Sequence, residues 1–251
     1  MLVIREEQTN VFQQAAGITF ENQMVEYLTE LSPKHCTILG DAQVRRVVRY
    51  GLERAESHGL TDTRSFSLYL ALMLMLGSNF DADPQLPWAA NILGDQNLID
   101  EYGRMHSLHR SAMEYAEAVA GANNKHADAA FERIRKEKIA DLPGDSSDFR
   151  STLMNRLNEI YPEKYHYIGK DALRLTRHKG VDAALRYGLS SKRGILIYIV
   201  MMFMLGGGFD ADPQFPWAQD VLKDDNLTEE SIKTDRLYKT ALTYLEKWKS
   251  T

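Results

Sequence analysis

Phe80-Asp81-Ala82-Asp83-Pro84-Gln85-Leu86-Pro87-Trp88-Ala89 recurs 129 residues later as Phe209-Asp210-Ala211-Asp212-Pro213-Gln214-Phe215-Pro216-Trp217-Ala218, with Leu86/Phe215 the one difference. The same ungapped offset pairs Phe20 with Phe149, Leu28 with Leu157, Pro33 with Pro162 and Gly40 with Gly169. It also pairs Arg45 with Arg174, Gly51 with Gly180, Gly59 with Gly188, Arg64 with Arg193, Tyr69 with Tyr198, Gly77 with Gly206, Leu108 with Leu237 and Tyr115 with Tyr244. One register held over about a hundred residues reads as a tandem duplication of one unit. The period is too long for a solenoid, whose repeats run to about 20–50 residues. Residues 1–140 are read as the first copy, 141–148 as a linker of turn-forming composition, and 149–251 as the second copy. Two such copies can pack on each other with pseudo-twofold symmetry.

The spacing within one copy is helical throughout. Phe20, Met24, Val25, Leu28 and Leu31 lie on one helical face, and Pro33 ends that run. Asp41 is expected to cap a second helix carrying Val44, Val47, Val48, Leu52 and Ala55, with Gly59 just past its end. A third helix from Thr61–Asp62 to Gly77 is apolar on all sides from Phe66 onward, as a central helix is. The Asp-Ala-Asp-Pro segment is a turn, Pro87–Leu93 a short helix with Pro at its first position, and Leu98–Val119 a long helix. A further helix is expected over His126–Ile139, and Met1–Ile4 as a short extended arm. Nothing alternates with period two, so the expected fold class is all-α, with no sheet.

The 251 residues are 44% hydrophobic and 26% charged, the balance of a folded protein, with a formal net charge of −5. That acidity argues against a nucleic-acid partner. Cys36 is the single cysteine, so an internal disulfide is excluded and a reducing, cytoplasmic setting is expected. The start of the chain does not have the pattern of a signal peptide. The apolar runs Phe66–Leu76 and Ile195–Leu205 fall short of the ~20 residues that span a bilayer, so no membrane insertion is expected.

Asp81, Asp83, Asp210 and Asp212 can hold a divalent cation if two turns face each other, because hard cations take carboxylate oxygens. The plainer reading is that Asp before Pro fixes a turn and caps free N–H groups. Trp88 and Trp217 are either anchors for a partner or pins that hold the short helix on the apolar third helix. Met73, Met75, Met201, Met202 and Met204 are read as core fillers, with a Met-lined groove as the alternative. Arg45, Arg174, Arg64 and Arg193 can pair with the acidic turns or hold carboxylates across the interface between the copies. His106 and His109 read as exposed helix residues rather than ligands. Cys36 does not have the setting of a nucleophile, and no nucleophile elbow, P-loop, Rossmann turn or zinc motif occurs.

Phe80–Ala89, together with Ile4-Arg5-Glu6-Glu7-Gln8 and Arg49-Tyr50-Gly51-Leu52-Glu53-Arg54-Ala55, resembles poorly characterised bacterial helical proteins encoded near type VI secretion spike, PAAR or Rhs effector genes. The resemblance covers residues 1–120, and Ser146–Arg150 departs from its start. It implies an accessory role as immunity protein, adaptor or chaperone for a secreted effector or spike component. The function expected is thus a non-catalytic protein-binding module without cofactor or metal. Its partner-binding residues are expected to be Asp81, Asp83, Gln85, Trp88, Asp210, Asp212, Gln214, Trp217, Arg64 and Arg193. The alternatives are a metal-dependent enzyme using the paired Asp-x-Asp turns and a purely structural scaffold.

Overall fold

Lys192-Arg-Gly-Ile-Leu-Ile-Tyr-Ile-Val-Met-Met-Phe-Met-Leu205 has no polar face after its first turn, and a helix of that kind has to be enclosed by others. In a computed structural model, which describes residues 6–95, 100–136 and 148–249, every residue from Gly194 to Phe203 of this helix is buried. The chain is helical, and no strand occurs among the described residues. No described helix is long and apolar enough to cross a membrane. The expected arm at Met1–Ile4 and nearly all of the expected linker, 141–147, lie outside the described residues.

The chain divides into two compact units, Met1–Ala71 and Leu72–Thr251. The division falls inside a helix and not at 141–148, where the sequence placed a linker. The first unit holds α1 (Glu6–Leu31), α2 (Pro33–Leu39), α3 (Asp41–Ser57) and the start of α4 (Thr63–Leu76). Leu28, Val44, Val47, Val48 and Ala55 are buried at helical spacing. The leucine and each valine contribute on the order of 1.5–3 kcal/mol by leaving water, and the Ala55 methyl roughly 0.8. Phe20 meets Phe66 edge-on at 5.6 Å. Pro33 both closes the approach to α1's end and opens α2, where its missing N–H costs nothing. Gly40, at φ 80°, turns the chain from α2 into α3 and takes the capping position expected of Asp41, which lies in the first turn instead. Asp62 caps α4 by accepting from the Ser65 N–H at 2.9 Å. Gly59, at φ +70°, follows α3 as expected of a residue past a helix end.

The second unit continues with α5 (Pro87–Leu93), α6 (Glu101–Val119), α7 (Lys125–Lys136), α8 (Phe149–Ile160), α9 (Pro162–Arg186), α10 (Lys192–Leu205), α11 (Pro216–Leu222) and α12 (Glu230–Lys249). Residues beyond Lys136 in the helix expected over His126–Ile139 lie outside the described set, as do Leu98 and Ile99. Helices α8, α9 and α12 pack on α10. Helix α9 bends at Gly169, where φ 78° and ψ 173° break the helical run. Met73, Met201 and Met202 are core residues, whereas Met75 is 43% exposed, so the filler reading does not extend to it.

Candidate functional site

The second unit contains both Asp-Ala-Asp-Pro-Gln turns, and they hold each other. Both follow a helix that runs into a glycine, whose N–H donates to the Met73 or Met202 carbonyl and leaves that oxygen's second lone pair open to another donor. The Gln85 side-chain amide donates to the Met202 carbonyl near the end of α10 at 2.9 Å. The Gln214 amide donates to the Met73 carbonyl near the end of α4 at 2.8 Å. Each glutamine thus caps the helix that precedes the other turn.

The carboxylates repeat the pattern. Asp83 accepts from the Gly207 N–H at 2.6 Å and from the Gln85 N–H at 2.8 Å. Asp212 accepts from the Ser78 N–H at 2.7 Å and from the Gln214 N–H at 2.8 Å. These four crossing bonds form two pairs, each bond having a counterpart displaced by 129 positions and running the other way. Asn79 donates to the carbonyl of Gly208, its own counterpart, at 3.5 Å. Gly77 and Gly206 have φ +97° and +103°, a conformation that favours glycine, and the approach is tight as well. A Cβ on Gly77 would lie 3.2 Å from the Leu205 carbonyl, and one on Gly206 would lie 3.1 Å from the Leu76 carbonyl.

The partner-facing role expected of these side chains meets a physical obstacle. Asp81, Asp83, Gln85, Asp210, Asp212 and Gln214 are all buried, at 9% exposure or less. Buried polar groups need internal partners, and the turns supply them to each other. Trp217 is buried against Phe209, Phe215 and Tyr244, and Trp88 is half-buried with Tyr115 at 6.4 Å. Both tryptophans thus meet the long helix that follows them, Trp217 through Tyr244 of α12 and Trp88 through Tyr115 of α6. The arginines do not pair with the turns. Arg193 binds Asp235 of α12 at 2.5 Å, Arg174 lies 3.8 Å from Asp171, and Arg45 binds Glu21 and Asp41. Arg64 is exposed at the start of α4.

The cation at the turns is Lys164, which the sequence reading missed. It sits in the first turns of α9, 5% exposed, and donates to the Phe203 carbonyl at 2.6 Å with its ammonium over the Phe203 ring. Burial lowers its pKa from 10.5 to about 8, against the opposing charge of Asp83. Burial raises the Asp83 pKa, and Lys164 and the Gly207 N–H pull it back. Asp212 is also raised by burial, and there the Ser78 hydroxyl and the backbone donors oppose the shift.

Asp210 accepts from the Tyr187 hydroxyl at 2.9 Å. Burial and the Asp210 charge push Tyr187 up to about 12, and Tyr198 is pushed up for the same reasons. A tyrosine held protonated at neutral pH donates hydrogen bonds and does not act as a base. Cys36 of the first unit is buried, its thiol raised by desolvation. Among the described residues, no three His, Cys, Asp or Glu side chains gather as a metal site, so the four-carboxylate cluster of the enzyme alternative does not form. His106 and His109 are exposed on α6.

Two open clefts flank the α9 segment after Gly169 and share Pro84 of the first turn. One, roughly 400 Å³, is lined by Lys179, Asp182, Arg186, Tyr198 and Asp210. The other, roughly 390 Å³, is lined by Pro84, Pro87, Ile168, Ala172 and Leu175. Compared with protein-family models, curated proteins and solved structures, this chain matches none of them.

Proposed function

We propose that this chain is a non-catalytic protein-binding module, built on an internal duplication and fastened by its two Asp-Ala-Asp-Pro-Gln turns. The observation that carries the reading is the reciprocal clasp. Asp83 and Asp212 direct their oxygens at backbone and amide donors, and both glutamines cap helix ends. Those groups hold the molecule together, and all four side chains are buried. The equal offset of the four carboxylate and glutamine crossing bonds supports a duplication, with a local pseudo-twofold axis passing near Asn79 and Gly208. The resemblance at Phe80–Ala89 and Arg49–Ala55 supports an accessory role, as immunity protein, adaptor or chaperone for a bacterial secreted effector or spike component.

Co-expression with the products of the adjacent genes, followed by affinity capture of this chain, tests the reading. A stoichiometric complex with one of them is the expected result, and toxicity rescue then separates immunity from adaptor or chaperone. Capture of none, together with turnover in a hydrolase screen that Asp210→Asn abolishes without unfolding the protein, overturns it.

A further inference from the structure

Two helices at equivalent places in the sequence, α3 and the part of α9 after Gly169, differ in how their cations are used. On α3, Arg45 and Arg49 are held by Glu21 of α1, with Arg49 Nε 2.8 Å from its carboxylate. Position 150, offset by 129 from Glu21, is arginine. Residues 170–186 carry Lys170, Arg174, Arg177, Lys179 and Arg186 against only Asp171 and Asp182, in a chain whose formal net charge is −5. The ion pair of Arg174 with Asp171 is long at 3.8 Å and exposed. Lys170, Arg174, Lys179 and Arg186 are exposed.

The same helix borders both clefts. Ala172, Leu175, Lys179, Asp182 and Arg186 recur at spacings of three and four, so they form one face about 20 Å long. At one end that face is apolar, with Leu175 46% exposed beside Pro84 and Pro87. At the other it is cationic, with Lys179 and Arg186 at the rim of the second cleft. Asp210 in that cleft is engaged by Tyr187, which leaves Asp182 as the one exposed acid there.

We infer that this face of α9 is a docking surface for an acidic amphipathic helical segment of a protein partner. Its apolar residues enter the Leu175 end, and its carboxylates meet Lys179 and Arg186. Charge complementarity selects the acidic partner. The apolar cleft selects a peptide over a polyanion, because a helix in a groove is held by anchors at i, i+3, i+4 and i+7. The inference deepens the protein-binding reading above and rests on it.

The probe is a fluorescein-labelled peptide with leucines at those four spacings and glutamates elsewhere, titrated by anisotropy against the full chain. The expected result is saturable binding that weakens with salt. It drops about tenfold or more in K179E/R186E, and again in L175E, as expected for steering charges and an apolar anchor. All three positions are exposed, and circular dichroism checks the fold. Equal binding of a scrambled peptide of the same composition overturns the inference, as does preference for duplex DNA or phosphatidylserine vesicles, or indifference to the substitutions. Capture with the adjacent gene products, run with wild type and K179E/R186E, separates the two claims. A partner kept by both leaves the module reading and removes the α9 face. A partner lost only in the variant supports both. Capture by neither, with no peptide binding, overturns both.

Discussion

The two Asp-Pro-Gln turns share a sequence and a hydrogen-bond pattern, yet their buried carboxylates are compensated differently. Asp83 has a buried cation, Lys164, acting on it. Asp212 has the Ser78 hydroxyl and neutral donors alone, and position 207, offset by 129 from Ser78, is glycine. A backbone clasp thus fixes where a carboxylate sits but not how its charge is met. A buried ion pair carries a desolvation cost on both members, and losing one member leaves the other exposed to that cost alone.

Lys164→Met is therefore expected to have the largest effect, a loss of about 3–5 kcal/mol in denaturant unfolding, because Asp83 is left buried without its cation. The double variant Lys164→Met/Asp83→Asn should recover most of that loss. If the double variant is as unstable as the single one, the cost lies in Lys164's bond to the Phe203 carbonyl and not in the pairing.

The pH dependence separates the same position in the two sequence registers. Lys164 is lowered to about 8 from 10.5, so between these values the folded form is neutral while the unfolded chain keeps its proton. Its contribution is complete above 10.5 and is lost as the pH falls through about 8. Stability should rise by about 2 kcal/mol from about pH 8 to 9.5 relative to Lys164→Met, before the raised tyrosines begin to oppose it. The residue 129 positions earlier is His35, buried and lowered by desolvation from 6.5 to about 4. Its neutral form contributes fully above 6.5, and that contribution is lost as the pH falls through 4. His35→Gln should remove an acid-side slope of up to about 3 kcal/mol, seen in urea midpoints across that range.

The helices were legible because their signals are local. Phe66–Leu76 and Ile195–Leu205 are apolar on every side, and Gly59 has to sit past a helix end. The clasp was legible only as a repeated motif. Its donors are the backbone of Ser78 and Gly207 and its acceptors the carbonyls of Met73 and Met202, groups that carry no side-chain signature. Lys164 escaped for a related reason. A lysine beside Pro162-Glu163 reads as a solvated helix start, and the offset aligns it with a histidine, so neither composition nor repeat marks it as buried. For the arginines, matched position does not bring matched use. Glu21 holds Arg45, while Arg174 has only a neighbouring aspartate on its own helix.

The glutamines offer a smaller contrast within the clasp. Gln214 donates both to the Met73 carbonyl and to the Ser78 hydroxyl, whereas Gln85 donates to Met202 and more distantly, at 3.3 Å, to its own turn's Asp83. Gln214→Leu should cost about 2 kcal/mol in thermal or urea unfolding and Gln85→Leu about 1, since each removes buried hydrogen bonds, and the Met73 and Met202 carbonyls keep only the Gly77 and Gly206 N–H groups. Equal losses would mean that the bond to Ser78 adds nothing, and that the serine acts on Asp212 alone.

The least effect is expected at the surface, and it bears on function. Arg150→Glu places an acid on α8 at the position offset by 129 from Glu21, and α8 packs against α9. If the register carries over, the new carboxylate reaches Arg174 as Glu21 reaches Arg45. Exposed pairs are worth little, so the gain in stability should stay under about 0.5 kcal/mol. The change in charge is larger than the change in energy, because one cation becomes an anion beside a face whose proposed role rests on exposed cations. An acidic amphipathic peptide should then bind a few-fold more weakly, with a shallower dependence on salt. Unchanged affinity alongside the expected small gain in stability would confine the partner's carboxylates to the Lys179–Arg186 end of the helix.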